Sequence, residues 1–226
     1  MKKKILYIYL VIILFIITIC ILLNYYNNKK SKELFQENEK HSFHILLATI
    51  GKDSIFDILT SFKQQLEQQD YLTIVFDGPN LPNVDKVYSF VSDFKCKVNV
   101  IVEDTNLGYW GHAIRNKHNK LTGDFVFHVD DDDNIPPDCM EIIRSTCKDK
   151  NVIYIFKINH KGDTIWKTKN VIESQISTQS GIIPTQINST SEFVYRYGGD
   201  YDFYKTLEKN GNKIEYVDKI IYLIRA

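Results

Sequence analysis

Residues 123–137 read GDFVFHVDDDDNIPP, and this stretch decides the fold. A short apolar run, residues 125–129, is followed at once by four carboxylates, Asp130 to Asp133, and then by two prolines. The apolar run has the length of a buried strand, and proline favours the first turn of a helix. We therefore read a strand, an acidic turn and a helix. In open α/β sheets, ligands bind at such turns, outside the carboxyl ends of the strands.

The same alternation continues on both sides of this stretch. Apolar runs predict four further strands, at residues 44–49, 71–76, 97–102 and 152–158. Helical spacing of apolar residues predicts helices at residues 54–69, 85–94, 110–120, 137–147 and 201–210. Strands that alternate with helices are typical of a parallel, doubly wound sheet. The sequence thus predicts an α/β fold with a Rossmann-like, mostly parallel sheet and flanking helices.

The N-terminal residues follow a different pattern. A short basic tail, residues 1–4, precedes an uncharged apolar run at 5–23, which is long enough to cross about 30 Å of hydrocarbon. The run ends without an A-x-A-like cleavage site, so we expect an uncleaved transmembrane signal anchor. Residues 24–41 are polar and are interpreted as a stem, and residues 42–226 as one catalytic domain.

This arrangement predicts a single-pass membrane protein. Lysines flank the apolar run on both sides, so the positive-inside rule favours a cytoplasmic N-terminus only weakly. In a eukaryotic host the catalytic domain would then be lumenal, as in the Golgi or endoplasmic reticulum. An N-glycosylation sequon, Asn188-Ser189-Thr190, agrees with a lumenal domain, although chance explains it equally well.

Composition excludes several classes of protein. With 226 residues, 44% hydrophobic, the chain suits one packed domain and not a disordered one. Removing the three lysines at positions 2–4 from 28 basic residues leaves 25 against 28 acidic ones, which disfavours a nucleic-acid partner. The four cysteines form no closely spaced pair. Zinc is therefore not expected, and free thiols are favoured over a disulfide among Cys96, Cys139 and Cys147.

Polar side chains stand at the carboxyl ends of several predicted strands. Thr49 follows the first strand, Asp77 the second, Asn106 the third and the Asp130–Asp133 run the fourth. Because parallel strands end at one edge of a sheet, we expect one acid-rich crevice there. Adjacent carboxylates repel one another unless a cation offsets their charge, and Mg²⁺ and Mn²⁺ prefer oxygen ligands. The carboxylates of Asp130 and Asp132 point the same way in extended chain and are candidate metal ligands.

Five blocks of sequence resemble family 2 and related GT-A glycosyltransferases. The blocks are LLATIGKDS (46–54), TIVFDGP (73–79), NLGYWGHAIRN (106–116), GDFVFHVDDDDNIPP (123–137) and, more weakly, GGDYDFYKTLEKNG (198–211). They are similar in order and spacing to the family's first strand and turn, second strand with its acid, N-x-G…A-R-N segment, D-x-D block and E-D helix start. Together they span nearly the whole chain beyond the stem.

The resemblance implies a nucleotide-sugar site. Asp77 would contact the uracil or ribose, and Thr49 would lie beside the base. Arg115 and Asn116 would line the nucleotide side of the crevice. The remaining residues implied for this site are Asn106, Asp130 and Asp131. Asp130 and Asp132 would form the D-x-D acids that hold Mn²⁺ or Mg²⁺ on the diphosphate.

The resemblance also implies a catalytic base. Asp200 matches the second acid of the E-D pair, which is the usual base of inverting members, but Gly199 stands where the first acid is expected. Asp202 is therefore the alternative base. Asp200 is also a candidate helix N-cap, with about equal weight.

The sequence as a whole predicts a metal-dependent glycosyltransferase. It would move a hexosyl or related sugar from a nucleotide-diphosphate sugar, by default a UDP-sugar, to an acceptor hydroxyl, with inversion. The acceptor, whether glycan, protein or lipid, is left open. One alternative is an inactive, membrane-tethered binding protein; another is a nucleotidyltransferase, for which a Gly-rich basic loop after the first strand would be expected. Trp110 and Trp166 could stack on sugar rings; core packing is favoured for Trp110, and Trp166 is left open. We expect structural roles, and not metal binding, for His112, His118 and His128.

Overall fold

The computed structural model describes residues 17–26 and 40–225. Residues 1–40 and 41–226 form two separate units. In the first unit, residues 17–26 are helical and exposed. No helix within the described ranges is long and apolar enough to cross a membrane. The predicted anchor lies largely outside these ranges, as residues 5–16 do, and so does most of the predicted stem, residues 27–39.

The second unit is built on an eight-stranded mixed sheet. Its strands are β1 (Phe43–Thr49), β2 (Tyr71–Phe76), β3 (Lys97–Val102), β4 (Phe125–Asp130), β5 (Val152–His160), β6 (Asp163–Ile165), β7 (Gly181–Pro184) and β8 (Lys213–Ile224). The spatial order is β3-β2-β1-β4-β7-β5-β6, and β8 pairs with β5. Strands β3, β2, β1 and β4 are mutually parallel, and β7 runs antiparallel to both β4 and β5. The predicted α/β fold with a mostly parallel sheet is confirmed.

Six helices flank this sheet. They are α1 (Ile55–Gln65), α2 (Val84–Val91), α3 (His112–Lys117), α4 (Cys139–Thr146), α5 (Thr185–Asn188) and α6 (Gly199–Lys209). Alternate residues of β1 point to opposite faces of the sheet, as the two-residue period of a strand requires. Phe43, Ile45 and Leu47 join the large core that includes α1, α2 and α4. Leu46 and Ala48 pack with Ile114 of α3 on the other face.

Register brings the carboxyl ends of three neighbouring strands level. Thr49 at the end of β1 is paired with Phe76 of β2, and Ala48 is paired with Asp130 of β4. All seven residues of β1 and the first five of β4 are buried, so these strands are fixed on both faces. The polar residues that follow them therefore project from a rigid edge.

The predicted helix at 110–120 is the clearest difference in this half of the fold. The α-helix begins only at His112, after a 3₁₀ turn at Tyr109–Gly111. Residues 108–111 all have positive φ, which no right-handed helix allows. The strands β6, β7 and β8 were not predicted. In β8 the alternation of apolar and polar residues is interrupted where its register against β5 shifts.

Two smaller expectations have clear outcomes. The four cysteines are free thiols in this structure, and Cys96, Cys139 and Cys147 are buried. The asparagine of the predicted N-glycosylation sequon is not exposed. The side chain of Asn188 is buried, and its Oδ1 lies 2.8 Å from Nε2 of His128. An oligosaccharide has no access to this amide in the fold described, so the sequon adds no support for a lumenal domain.

Candidate nucleotide-sugar site

A crevice of about 340 Å³ lies at the carboxyl ends of β1, β2 and β4. Its volume falls in the range of about 300–1,000 Å³ that small-ligand sites occupy. Six of the predicted site residues line it: Thr49, Asp77, Asn106, Asp130, Asp131 and Asp132. The structure thus brings together acids from two strand ends that are more than 50 residues apart in sequence.

The turn after β1 is closed by Asp131. Its carboxylate accepts a hydrogen bond from the Thr49 hydroxyl at 2.5 Å and one from the Ile50 amide at 3.2 Å. The Thr49 oxygen in turn accepts the Gly51 amide at 2.8 Å. Burial raises the pKa of the Asp131 carboxyl above its ordinary value. Asp131 therefore fastens β1 to β4, and Thr49 is oriented at the crevice wall by this bond.

Asp77 organises the loop after β3. Its two carboxylate oxygens accept the backbone amides of Leu107 at 2.6 Å and Gly108 at 3.0 Å. The Asn106 side chain donates to the backbone carbonyl of Asp77 at 3.0 Å. Charge-assisted bonds of this kind are about twice as strong as neutral ones. The side chains of Asp77 and Asn106 are thus held at the crevice by the turn that they themselves stabilise.

Asp130 is held from two sides. One carboxylate oxygen is bonded to the Arg115 guanidinium and the other to the Gln179 side-chain amide. Arg115 is only 1% exposed, and it also donates to the backbone carbonyls of Trp110 at 2.9 Å and Val129 at 3.3 Å. Arg115 does not line the crevice itself. It reaches the site through Asp130, and it joins α3, the 108–111 turn and β4.

Asp132 is the acid most available to a metal ion. Its side chain is 50% exposed, and its partner is the flexible Lys52 ammonium at 2.8 Å. Both oxygens of Asp130 are already engaged, so Asp130 would have to release Gln179 or Arg115 to bind an ion directly. Within residues 17–26 and 40–225, no three His, Cys, Asp or Glu side chains form a metal cluster. One or two carboxylates with substrate phosphates are the usual Mg²⁺ arrangement, and Asp132 fits it.

Asn116 and the histidines lie away from the crevice. The Asn116 amide donates to the Phe193 carbonyl at 2.8 Å and accepts its amide at 2.7 Å, which pins the segment before α6. His112 is bonded to the Val194 carbonyl, and His118 to Glu103. Burial lowers the pKa of His128 to about 3. These contacts are structural, as expected for the three histidines, and Asn116 is not among the crevice-lining residues.

The predicted catalytic acids stand in different surroundings at the start of α6. Asp202 forms an ion pair with Arg196 at 2.6 Å. Asp200 is half-buried and accepts the Tyr201 amide at 2.9 Å, and this burial raises its pKa. The N-cap of α6 is Gly198, so the interpretation of Asp200 as the N-cap residue is wrong.

Steric crowding explains why a glycine, Gly199, precedes Asp200. A Cβ on Gly199 would lie 2.0 Å from the Val194 carbonyl oxygen and 3.0 Å from His112 Cε1. Real Cβ atoms do not approach backbone that closely, because interiors are packed at crystal-like density. The space that an acidic side chain would need at position 199 is filled by the chain's own backbone.

One tryptophan lies where the sequence did not predict it, and two polar residues of the site were not predicted. Trp110 is 65% exposed, so the expected core packing is wrong, whereas Trp166 is 5% exposed and packs on Tyr216. Lys52 lines the crevice beside Asp132, and its place in the first turn after β1 was the available signal. Gln179 reaches Asp130 from a segment 49 residues away, and no local pattern marks it.

Several solved structures have a fold similar to that of this chain. TarS residues 1–349 of S. aureus match with a TM-score of 0.65 and 18% identity, over 80% of this chain and 60% of that one. The same fragment in complex with UDP-GlcNAc gives a TM-score of 0.64 and 18% identity, over 81% and 58%. The mannosyltransferase PcManGT from Pyrobaculum calidifontis, in complex with GDP-Man and Mn²⁺, gives 0.62 and 12%, over 80% and 56%. The chain thus spans about 60% of the TarS fragment's length.

Identities this low show a shared fold and nothing finer. A search of curated proteins found no match. The family model does match: the model for glycosyl transferase family 2 covers residues 51–209, which contain most of the crevice wall and the start of α6. This interval is well over half of the 226 residues. The sequence-based assignment to a family 2-like GT-A fold is thereby confirmed, and the chain belongs to glycosyl transferase family 2.

Proposed function

We propose that the chain transfers a sugar from a nucleotide-diphosphate sugar to an acceptor hydroxyl, with UDP-sugar as the first donor to test. The observation that carries this proposal is the crevice, where acids from two strand ends and one lysine face the same space. The family assignment supports glycosyl transfer, and two structures of similar fold hold UDP-GlcNAc and GDP-Man with Mn²⁺. Both nucleotide classes therefore belong in the test.

Donor recognition is assigned to the two anchored sides of the crevice. Asp77 and the loop 106–108, whose amides it accepts, would bind the nucleoside. Thr49 would lie beside the base, and Lys52 would turn from Asp132 to the diphosphate. An ammonium is a compact charge on a flexible stem, which suits a group that changes partner when a phosphate enters.

The metal is proposed at Asp132. Mn²⁺ or Mg²⁺ there would act as a Lewis acid on the diphosphate leaving group. Asp132 presents a half-exposed carboxylate to it, while Asp130 stays bonded to Arg115 and Gln179 and fixes the wall beside it. The sequence predicted both aspartates as metal ligands. We assign Asp132 as the metal ligand and Asp130 as a positioning residue.

Asp200 is the proposed general base, which implies an inverting reaction. Asp202 is neutralised by Arg196, whereas Asp200 is bonded to backbone and is partly exposed. A base acts best when its pKa lies near the working pH, and burial moves the Asp200 pKa upward in that direction. The membrane anchor and the lumenal placement of this domain remain part of the proposal.

A donor panel tests the function directly. Purified full-length chain with Mn²⁺ is incubated with UDP-, GDP- and CMP-sugars, and nucleotide release is measured with and without acceptors. We expect release from one nucleotide class, lost in Asp132→Ala and kept in Asp163→Ala, an exposed acid of the β5–β6 hairpin. Binding of a nucleotide sugar without turnover, across a broad acceptor panel, would favour an inactive binding protein instead.

A further inference from the structure

Four exposed aromatic side chains form a cluster that we call the aromatic platform: Tyr109, Trp110, Tyr195 and Tyr197. Tyr109 and Tyr195 are stacked with ring centroids 4.6 Å apart. Trp110 and Tyr197 meet edge to face at 5.9 Å. Tyr197 is 82% exposed, the largest exposure of these four. Single exposed apolar residues are ordinary on protein surfaces, but a contiguous group marks an interaction site.

The platform is fixed from below. On one side, the backbone carbonyl of Trp110 accepts a hydrogen bond from the buried Arg115 guanidinium. The backbone of Tyr109 and Trp110 has φ in the left-handed region. Such backbone costs about 1–2 kcal/mol per residue and persists only where surroundings impose it. On the other side, Asn116 holds the backbone of Phe193 two residues before Tyr195. Both halves of the platform thus depend on α3.

The platform borders the proposed reaction centre. Trp110 and the adjacent Gly111 line the crevice. Arg196, between the two platform tyrosines, is paired with Asp202, and its carbonyl accepts the Gly199 amide at 3.1 Å. The platform therefore adjoins the donor crevice through Trp110 and the start of α6 through Arg196. Because Asp200 is the proposed base, the acceptor hydroxyl would bind near this start of α6.

We propose that the aromatic platform binds a pyranose ring of the acceptor, so that the acceptor of this enzyme already carries a sugar. This inference rests on the proposed glycosyl transfer. A pyranose presents an apolar face of C–H bonds and a rim of hydroxyls. Aromatic faces carry negative potential that attracts such C–H groups, and tyrosine hydroxyls supply hydrogen bonds at the rim. The platform has both features, because three of its four members are tyrosines.

Local charge disfavours a lipid surface as the occupant. Anionic membranes attract clusters of free lysine and arginine. Arg196 is the basic residue within the 195–197 segment, and it is already paired with Glu173 at 2.9 Å and Asp202 at 2.6 Å. The platform therefore offers apolar rings and hydroxyls beside neutralised charge, which matches an uncharged saccharide better than a phospholipid headgroup.

A fluorescence experiment tests binding without any catalytic readout. The chain has two tryptophans, of which Trp166 is buried, so the Trp166→Phe chain reports Trp110 alone. Acrylamide quenching is measured with maltose, cellobiose, lactose, mannobiose or N,N′-diacetylchitobiose at 100 mM, and with glycerol as control. We expect at least one disaccharide to lower the quenching constant about twofold or more and glycerol to leave it unchanged. The proposal would be overturned if vesicles of phosphatidylcholine and phosphatidylglycerol lowered the quenching of Trp110 and no disaccharide did. It would also be overturned if neither the vesicles nor any disaccharide lowered the quenching.

Kinetics then separate this inference from the proposed function. With the active donor and the protecting disaccharide as acceptor, Tyr197→Ala and Tyr195→Ala should raise the acceptor KM about tenfold. The donor KM should change less than twofold, and Trp110→Phe should retain most of the acceptor affinity. Tyr88→Ala, at an exposed tyrosine of α2, is the control. Equal acceptor KM values in all variants would overturn the platform while leaving glycosyl transfer intact. Absence of any donor turnover, with Trp110 still protected, would instead remove the proposed function.

Discussion

The guanidinium of Arg115 is buried beneath the crevice and bonded to the carboxylate of Asp130. The same side chain donates to the backbone of Trp110 and Val129. Gly111 is required above it, since a Cβ there would lie 2.7 Å from Arg115 Nη1 and 2.9 Å from Ala48 Cβ. Arg115 is thus the point at which the D-x-D turn, the aromatic platform and α3 are joined.

Removal of Arg115 should lower stability as well as activity. Arg115→Ala leaves the Asp130 carboxylate and two carbonyls without their partner, and breaking a buried ion pair typically costs about 3–5 kcal/mol. Because Asp130 is partly exposed, we expect a loss at or just below the lower end of that range, about 2–3 kcal/mol. Urea denaturation followed by circular dichroism measures it.

The matched variant for this prediction is Arg115→Lys. Lysine keeps the charge but lacks the planar fork that reaches several acceptors at once, so an intermediate loss is expected. A stability of Arg115→Ala within about 0.5 kcal/mol of the wild type, the range of ordinary surface changes, would show that this residue does not join the three elements.

Asp132 should control metal-dependent binding of nucleotide. In calorimetry with UDP and Mn²⁺, Asp132→Ala should weaken binding by at least about 10–100-fold, the range seen even for changes around metal ligands. Asp130→Ala should also weaken binding, but with a loss of stability, because Arg115 would lose its carboxylate partner. Asp163→Ala is the control. UDP affinity that is unchanged by EDTA in the wild type would contradict the metal assignment.

Much of the donor side could be predicted from sequence, and for a local reason. The apolar runs of β2 and β3 end where they were predicted, at Phe76 and Val102, because an acidic residue follows each run directly. Parallel register then brings the polar residues after each strand to one edge, so Thr49, Asp77 and Asp130 were predicted to share a crevice.

The acceptor side could not be predicted in the same way. Gln179 and Tyr195 reach the site only because β7 pairs with β4 and because Asn116 holds the segment at Phe193. These contacts join residues far apart in the chain and leave no periodic pattern. Core packing was favoured for Trp110, but the left-handed turn at Tyr109–Gly111 leaves this side chain exposed.

Restoration of the usual acid at position 199 should damage the fold. Gly199→Glu places a Cβ 2.0 Å from the Val194 carbonyl, and overpacking of this kind typically costs about 1–3 kcal/mol or more. Gly199→Ala should cost nearly as much, since the Cβ makes the clash. An equal melting temperature for Gly199→Glu and the wild type would show that a side chain at position 199 fits beside the Val194 carbonyl.

Asp200 should set both the rate and its dependence on pH. Burial raises the pKa of this carboxyl, and the backbone amide of Tyr201 opposes the shift. A general base works only when ionised, so the rate should fall as pH drops through this raised pKa. That acid limb should lie above the value of about 3.9 expected for an exposed aspartate. Asp200→Asn should lose about 10²–10⁴-fold in transfer while binding UDP normally.

The same shift has a consequence for stability with a definite sign. Because the folded-state pKa lies above the unfolded-state one, the protonated carboxyl favours the folded chain. Its contribution is complete below the unfolded pKa and is lost as pH rises through the folded pKa. Asp200→Asn should therefore flatten this part of the pH–stability curve, whereas Asp202→Asn, which breaks the pair with Arg196, should not. A transfer rate lost in Asp202→Asn and kept in Asp200→Asn would exchange the two roles.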